Sequence, residues 1–256
     1  MVDALGEPLR GEVGLLLDAL HRISAAAVTR GAADVIVRPS ASSPDLDPDQ
    51  AVRLASLPLF VLVENAISDA AFLDRATPAP WRDRLRGWLR EGAVVFEHAG
   101  GVDEIPRMID RHGAAEAPSA FGLGPDAWRA RHIVLIDRDT SADGGLGRGA
   151  RRVVRACAER EMADRLHVLQ RPTIECYLPV PALRAIADAC DPDSRARLEP
   201  AIAARAAGAD YEPIRRERAF KNAFLDDALP WHAGWFRADG SADELIEIVE
   251  KIAALT

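Results

Sequence analysis

HIVLIDRDTS, residues 132 to 141, is the stretch on which the reading of this chain turns. The run His132 to Ile136 is almost wholly apolar and rich in β-branched residues, and it passes directly into Asp137-Arg138-Asp139. A continuous apolar run of this length is what a strand buried on both faces requires, and such strands belong to parallel sheets covered by helices. A strand that ends abruptly in carboxylates puts acidic groups at the carboxyl edge of the sheet, where open α/β folds bind their ligands.

Working outward, Leu59 to Val63 (LFVLV), Ala93 to Phe96 (AVVF) and Arg165 to Leu169 (RLHVL) read as three further buried strands. Helical periodicity fills the intervals at 49–57, 68–75, 81–90, 102–111 and 150–162, and a loop rich in Ala, Pro and Gly covers 113–126. Strands alternating with helices imply βαβ units with right-handed crossovers. After Pro172 the pattern is helical, at 180–190, 193–207, 213–224 and 241–255, the last opened by Ser241 and Glu244 as a capping box. Ahead of the first strand, residues 11–30 read as an amphipathic helix, Asp34 to Arg38 as a short strand and Pro39 to Pro48 as a loop. The fold class expected is α/β: an open parallel sheet of about four strands with helices on both faces, plus mainly helical N- and C-terminal additions. The divisions expected are an extension over 1–56, the α/β core over 57–178 and a helical region over 179–256.

Composition narrows the function. With 256 residues, 48% apolar and 28% charged, the chain has the make-up of a globular protein and not of a disordered or collagen-like one. A net charge of −8 excludes coating of nucleic acid by bulk charge, although it leaves room for a local basic groove. The three cysteines, Cys157, Cys176 and Cys190, are an odd, scattered set without CxxC spacing, which argues against a disulfide framework or a zinc site and for the reducing cytoplasm. There is no run of 18 apolar residues to span a membrane, and the apolar stretch at 14–28 lacks the basic start of a signal peptide.

Acidic residues recur at the strand ends. Glu64 follows the first strand, Glu97 the second, Asp137 and Asp139 the third, and Glu175 lies just beyond the fourth. Several carboxylates on one sheet edge repel one another unless a cation neutralises them, and Mg²⁺ or Mn²⁺ is satisfied by a few hard oxygen ligands. An extended Asp137-Arg138-Asp139 would point both carboxylates to the same side, to share one metal or bridge two. Two acidic residues in a solvated loop are the plainer alternative for this motif alone.

Here the sequence resembles a family. LFVLVENAISDAAFLDRA (59–76) looks like the first motif of Toprim domains, a strand ending in Glu followed by a helix. EHAGGVDEIPRMID (97–110) resembles the Gly-containing turn after their second strand, and HIVLIDRDTS is similar to their strand-DxD motif. RPTIECYLP (171–179) resembles the segment that follows DxD in OLD-type Toprim nucleases and their small stand-alone relatives. The order of the pieces is the Toprim order, and together they cover about residues 57 to 225. The resemblance implies a Mg²⁺-dependent (or Mn²⁺-dependent) phosphodiesterase, a nuclease. In it Glu64 would bind metal or act as general acid/base, and Asp69 would help the first metal group. Asp137 and Asp139 would hold the metal, Glu175 would complete a second position, and Lys221 in RERAFKNAF would meet the developing charge. It further implies nucleic acid as partner, with an ATPase subunit beside it in defence against phage; homo-oligomer formation is left open. Two departures stand out: Asn65 occupies the place where these motifs usually have Gly, and Asp69 follows Glu64 by five residues where four is usual.

Other residues carry competing readings. Arg148, Arg151, Arg152 and Arg155 open the helix after DxD and suit either phosphate contact or a solvated face. Arg171 suits a phosphate or a structural ion pair equally. His98, near the acidic edge, and His232, between Trp231 and Trp235, read first as structural, the latter in a packed aromatic cluster. Gly144, Gly145, Gly147 and Gly149 could cradle phosphate, but the chain contains no GxxxxGK[ST] loop. Two rival functions remain: a haloacid-dehalogenase-like phosphatase using the DxDxT form, with Lys221 and Asp226-Asp227 as later motifs, and a catalytically inactive binding or regulatory module.

Overall fold

The computed structural model describes residues 48–114, 125–140, 144–208, 211–229 and 231–256. The helix expected over 11–30, the strand Asp34 to Arg38 and most of the loop that follows lie outside the described residues, as does most of the loop expected over 113–126. The helix predicted before the first strand is α1, Pro48–Ser56, which buries Ala51 and Leu54.

Four strands form one all-parallel sheet in the order β2-β1-β3-β4. They are β1 (Leu59–Val63), β2 (Val94–His98), β3 (His132–Ile136) and β4 (Leu166–Val168). The two longest apolar runs are the two central strands, and β3 is buried along its whole length. Strand β2 starts and ends later than hydropathy suggested, because Glu97 and His98 still pair with Leu62 and Val63. An edge strand needs a partner on one side only, so polar residues there stay within reach of solvent.

Alternation along the strands sends side chains into two separate cores. Leu59, Val61, Val63, Ile133 and Leu135 meet α2 (Ala66–Ala76), α3 (Trp81–Glu91) and the C-terminal helices. Leu62, Val134 and Ile136 meet α4 (Ile105–Gly113), α5 (Pro125–Ala130) and α6 (Arg148–Glu159). The chain is thus an α/β protein with helices on both faces of an open parallel sheet. No helix among the described residues is long and apolar enough to cross a membrane.

The C-terminal helices are α7 (Val180–Asp188), α8 (Pro192–Ala206), α9 (Glu212–Arg216), α10 (Ala233–Ala238) and α11 (Ala242–Ala253). Leu183, Leu198, Leu245 and Ile248 all belong to the core of the first sheet face. Two expectations fail here. The single helix over 213–224 is instead α9 followed by 3₁₀ turns at Arg218–Phe220 and Ala223–Leu225. Glu217 is extended, at φ −84° and ψ 111°, which ends α9 at Arg216 and lets the following turns bury Phe220 and Phe224.

The capping box at Ser241 is also absent. Ser241 stands at the N-cap position, but its side chain does not cap α11: its hydroxyl bonds Asp239 at 2.5 Å and the Phe236 carbonyl at 3.3 Å. Glu244 turns inward instead. It accepts from the Gln170 amide at 2.7 Å and from the Tyr177 hydroxyl at 2.5 Å, and it lies 3.2 Å from His167 Nε2. These bonds hold Glu244 below the usual carboxylate range even though burial acts the other way. They clamp α11 to the segment after β4. Glu244→Ala is expected to cost about 3–5 kcal/mol, since the buried Tyr177 and His167 and the Gln170 amide would lose their shared partner. Urea unfolding of the purified variant measures it, and a loss under 1 kcal/mol would refute the clamp.

Candidate functional site

The carboxyl ends of β1 and β3 open onto a cavity of about 310 Å³. Its polar lining comes from Glu64, Asn65, Ser68, Asp69, Asp137, Glu175, Lys221 and Asn222, and its apolar floor from Leu135, Ile136, Leu169 and Ile174. Five of the six side chains named for catalysis or metal in the sequence therefore converge. The sixth, Asp139, does not line the cavity.

Each is positioned by a local device. Glu64 is the first residue past β1. Asn65 then caps α2, its side chain accepting from the amides of Ile67 (3.1 Å) and Ser68 (3.4 Å). Asp69 completes the exchange by accepting from the Asn65 amide at 2.9 Å. Asparagine is among the best N-caps, so both departures from the Toprim pattern have one structural cause: the residue after the glutamate and the aspartate one turn on close the helix start together. The helix consequently begins at Ala66, two residues ahead of the expectation.

Asp137 follows β3 directly, and the Asp139 amide donates to the Pro172 carbonyl at 2.8 Å, tying the DxD loop to the segment that carries Glu175. Glu175 sits in a 3₁₀ turn, Ile174–Tyr177, whose Ile174, Cys176 and Tyr177 are buried. Phe220 and Phe224 act as buried anchors on either side of Lys221 and Asn222, with Phe224 packed edge-on against Phe72 of α2. Asn222 and Ser68 also line the cavity but belong to no chemical motif, so nothing in their local pattern marks them.

Electrostatics marks the cluster as strained. Burial pushes the Asp137 carboxyl well up, and Asp69, Glu175, Glu64 and Asp139 push it further. Burial also raises Asp69 to about 6, with Glu64 and Glu175 adding repulsion against the bonds from Asn65 and Ser68. Glu64 meets solvent at the rim, yet desolvation is the first cause of its raised pKa, followed by Asp139, Glu175 and Asp103, with His98 opposing. His98 and Asp103 thus act on the site through space.

A group that is more easily protonated when folded makes stability fall as pH rises. Asp69 leaves the protein most stable below about 4, and the loss is complete above about 6. Asp69→Asn keeps an acceptor for the Asn65 amide and removes the charge. At pH 7 in EDTA it is expected to gain about 1–2 kcal/mol, allowing for partial exposure, and to flatten the slope between pH 4 and 6. Thermal melts across that range check it; an unchanged slope would contradict the assignment.

The donor set is all hard oxygen, which suits Mg²⁺ or Mn²⁺ over a thiophilic ion. Mutually repelling carboxylates in one cavity fit a divalent counter-ion. As they stand, no three His, Cys, Asp or Glu side chains among the described residues form a ready chelating group.

Asp139 explains part of that. It adopts a left-handed conformation, φ 46°, in place of the extended DxD expected, so its carboxylate leaves the side shared with Asp137. There it takes a 2.8 Å ion pair from Arg215, a residue that carried no signal in the sequence.

The arginines divide. Arg148, Arg151, Arg152 and Arg155 are exposed along α6, and Arg152 pairs with Asp103. Arg171 is instead a structural anchor: it donates to Asp239 at 2.9 Å and to the Cys176 carbonyl at 3.1 Å, and it lies over the Tyr177 ring. It is not among the residues lining the cavity. Glu97 faces His132 at 3.3 Å on the sheet, away from the cavity. Trp231 stacks on Phe224 in the packed cluster expected of it, beside His232 against Trp235. The glycines after DxD serve close packing: a β-carbon on Gly149 would lie 2.7 Å from Val102 Cγ1, and one on Gly147 only 1.9 Å from the Asp139 carbonyl oxygen.

No protein-family model, no curated protein and no solved structure matches this chain.

Proposed function

We propose that this chain is a metal-dependent phosphodiesterase acting on nucleic acid, the reading its Toprim resemblance implies. The observation that carries it is the convergence of Glu64, Asp69, Asp137, Glu175 and Lys221 on one cavity at the carboxyl edge of a parallel sheet. Glu64, Asp137 and Glu175 would hold Mg²⁺ or Mn²⁺, with Asp69 and Asp139 beside them. Such an ion supplies Lewis-acid polarisation of a phosphate and eases deprotonation of water.

The remaining roles belong to the protein. Glu64 stands at the rim, and burial together with its carboxylate neighbours raises its pKa, which makes a proton easier to hold there. Lys221 makes no ion pair among the described residues and offers a positive charge to a phosphate oxygen entering an acidic cavity. Asn222 and Ser68 add neutral hydrogen-bonding groups. Leu135, Leu169 and Ile174 limit water at the floor, which strengthens each polar interaction above them. The exposed arginines of α6 are the surface we assign to the polynucleotide backbone. An ATPase partner rests on the resemblance alone.

The phosphatase reading leaves Glu64 and Glu175 without a role, and its later acidic pair is engaged elsewhere: Asp227 pairs with Arg75 and Asp226 accepts from the Ala228 amide. A non-cleaving module is the second reading, favoured by one observation, the ion pair that occupies Asp139. The test is cleavage. Plasmid, single-stranded DNA, tRNA and p-nitrophenyl phosphate are incubated with the chain in Mg²⁺, Mn²⁺ or EDTA, beside Asp137→Ala. Polynucleotide cleavage that needs both metal and Asp137 supports the nuclease. Phosphate release from the small ester alone would replace it with the phosphatase, and silence on every substrate would favour the module.

A further inference from the structure

The second aspartate of the DxD motif is held by a group that the proposed chemistry does not use. Asp139 Oδ1 accepts from Arg215 Nη2 at 2.8 Å, and Arg215 Nη1 reaches Glu212 at 3.2 Å. The guanidinium is thus stretched between two carboxylates, one on its own helix α9 and one in the DxD loop. The peptide unit that joins Arg138 to Asp139 is pinned at both ends, its N–H donating to the Pro172 carbonyl at 2.8 Å and its carbonyl accepting from the Gly147 amide at 3.2 Å. What remains free to turn is the Asp139 side chain. Its carboxylate is off the cavity wall, yet close enough to raise the pKa of both Glu64 and Asp137.

We propose that Arg215 is a latch on the metal site: it serves as the resident counter-cation of Asp139, keeps that carboxylate turned away from the cavity, and competes with a divalent cation for it. The inference rests on the metal-site reading above and adds a positioning residue to it. Both partners are partly exposed, with side chains 25% (Arg215) and 46% (Asp139) accessible, so exchange needs no opening of the core. An arginine cannot be neutralised at working pH, so the latch yields to displacement and not to titration.

The experiment is a Mn²⁺ titration, followed by the electron paramagnetic resonance of free Mn²⁺, on wild type, Arg215→Gln, Asp139→Asn and the double variant, each first checked for folding by near-UV circular dichroism. Arg215→Gln should bind Mn²⁺ about tenfold more tightly, the scale expected for removing one competing charge at a partly exposed site. In the Asp139→Asn background the same substitution should change affinity by less than about twofold, because the pair is already broken. Wild-type binding that Arg215→Gln leaves equal or weaker would overturn the latch and leave the metal site standing. A tightening that persists undiminished with Asn at 139 would overturn it too, by showing a general charge effect. Should neither wild type nor Arg215→Gln bind Mn²⁺ at millimolar concentration, both the latch and the metal site fall. If Arg215→Gln does not fold, Arg215→Lys decides: it loses the fork but keeps the charge, and about threefold tighter binding supports the latch while unchanged binding overturns it.

Discussion

Asp137→Asn should lose metal-dependent cleavage by about a thousandfold, the scale set by removing one preorganised electrostatic element of a site, while becoming more stable than wild type in EDTA. The two effects share one origin. Asp137 lies where burial and four neighbouring carboxylates, Asp69, Glu175, Glu64 and Asp139, all oppose its charge. Asparagine keeps the shape and removes the charge, so the folded state is relieved. A site held under repulsion for its chemistry is the usual source of such a trade between stability and activity. Cleavage rates with saturating Mn²⁺, together with melting temperatures at pH 7 in EDTA, report both. A variant that loses activity and stability together would mean that Asp137 is structural, and the proposed site would lose its central ligand.

Gly147→Ala is the second large effect. A β-carbon at this position would stand 1.9 Å from the Asp139 carbonyl oxygen and 2.9 Å from the carbonyl carbon. Both are backbone atoms, and neither can rotate away. Gly147 also sits at the N-terminus of α6, its carbonyl accepting from the Arg151 amide at 3.0 Å. The clash is expected to cost more than about 3 kcal/mol, at the severe end for a single substitution. It should also displace the DxD loop. Chemical denaturation measures the first consequence. The second predicts that any folded fraction fails to cleave. A stable, active Gly147→Ala protein would show that the loop accommodates a side chain, against the close approach described.

The parallel sheet was legible because it depends on composition within short windows. Leu59–Val63 and His132–Ile136 are apolar along their length, and strands buried on both faces require no more than that. The convergence of Glu64 and Asp137 was legible for a similar reason, since a residue just past a parallel strand has one edge of the sheet to go to, whereas Glu175 reaches that edge through the 3₁₀ turn that follows β4. Legibility ended where a side chain's partner lies far along the chain. Glu244 looked like a capping residue because Ser241 stands three positions before it, whereas its partners His167 and Tyr177 are 77 and 67 residues away. Asp139 looked extended because alternation is the default for DxD, and its ion-pair partner Arg215, 76 residues on, is invisible to a local window. The region 213–224 read as one helix on propensity, but the extended backbone at Glu217 ends the helix at Arg216. Asn65 differs: its capping role could have been read from the Asn before an amphipathic helix, but the family pattern drew attention to the missing glycine instead.

The clamp on Glu244 has a consequence for how the protein is made. The cavity's first wall, Glu64, leaves the ribosome about 180 residues ahead of the carboxylate that fastens the Glu175 turn in place, since translation runs from the N-terminus. Strands β1 to β4 can pair while synthesis continues, but Tyr177, Gln170 and His167 have no acceptor until α11 emerges. Lys221 likewise joins late. A nascent chain therefore carries the acidic edge without its cation and without its final brace. The cavity is completed only after α11 has been synthesised, so the acidic edge is in place before the residues that brace and offset it.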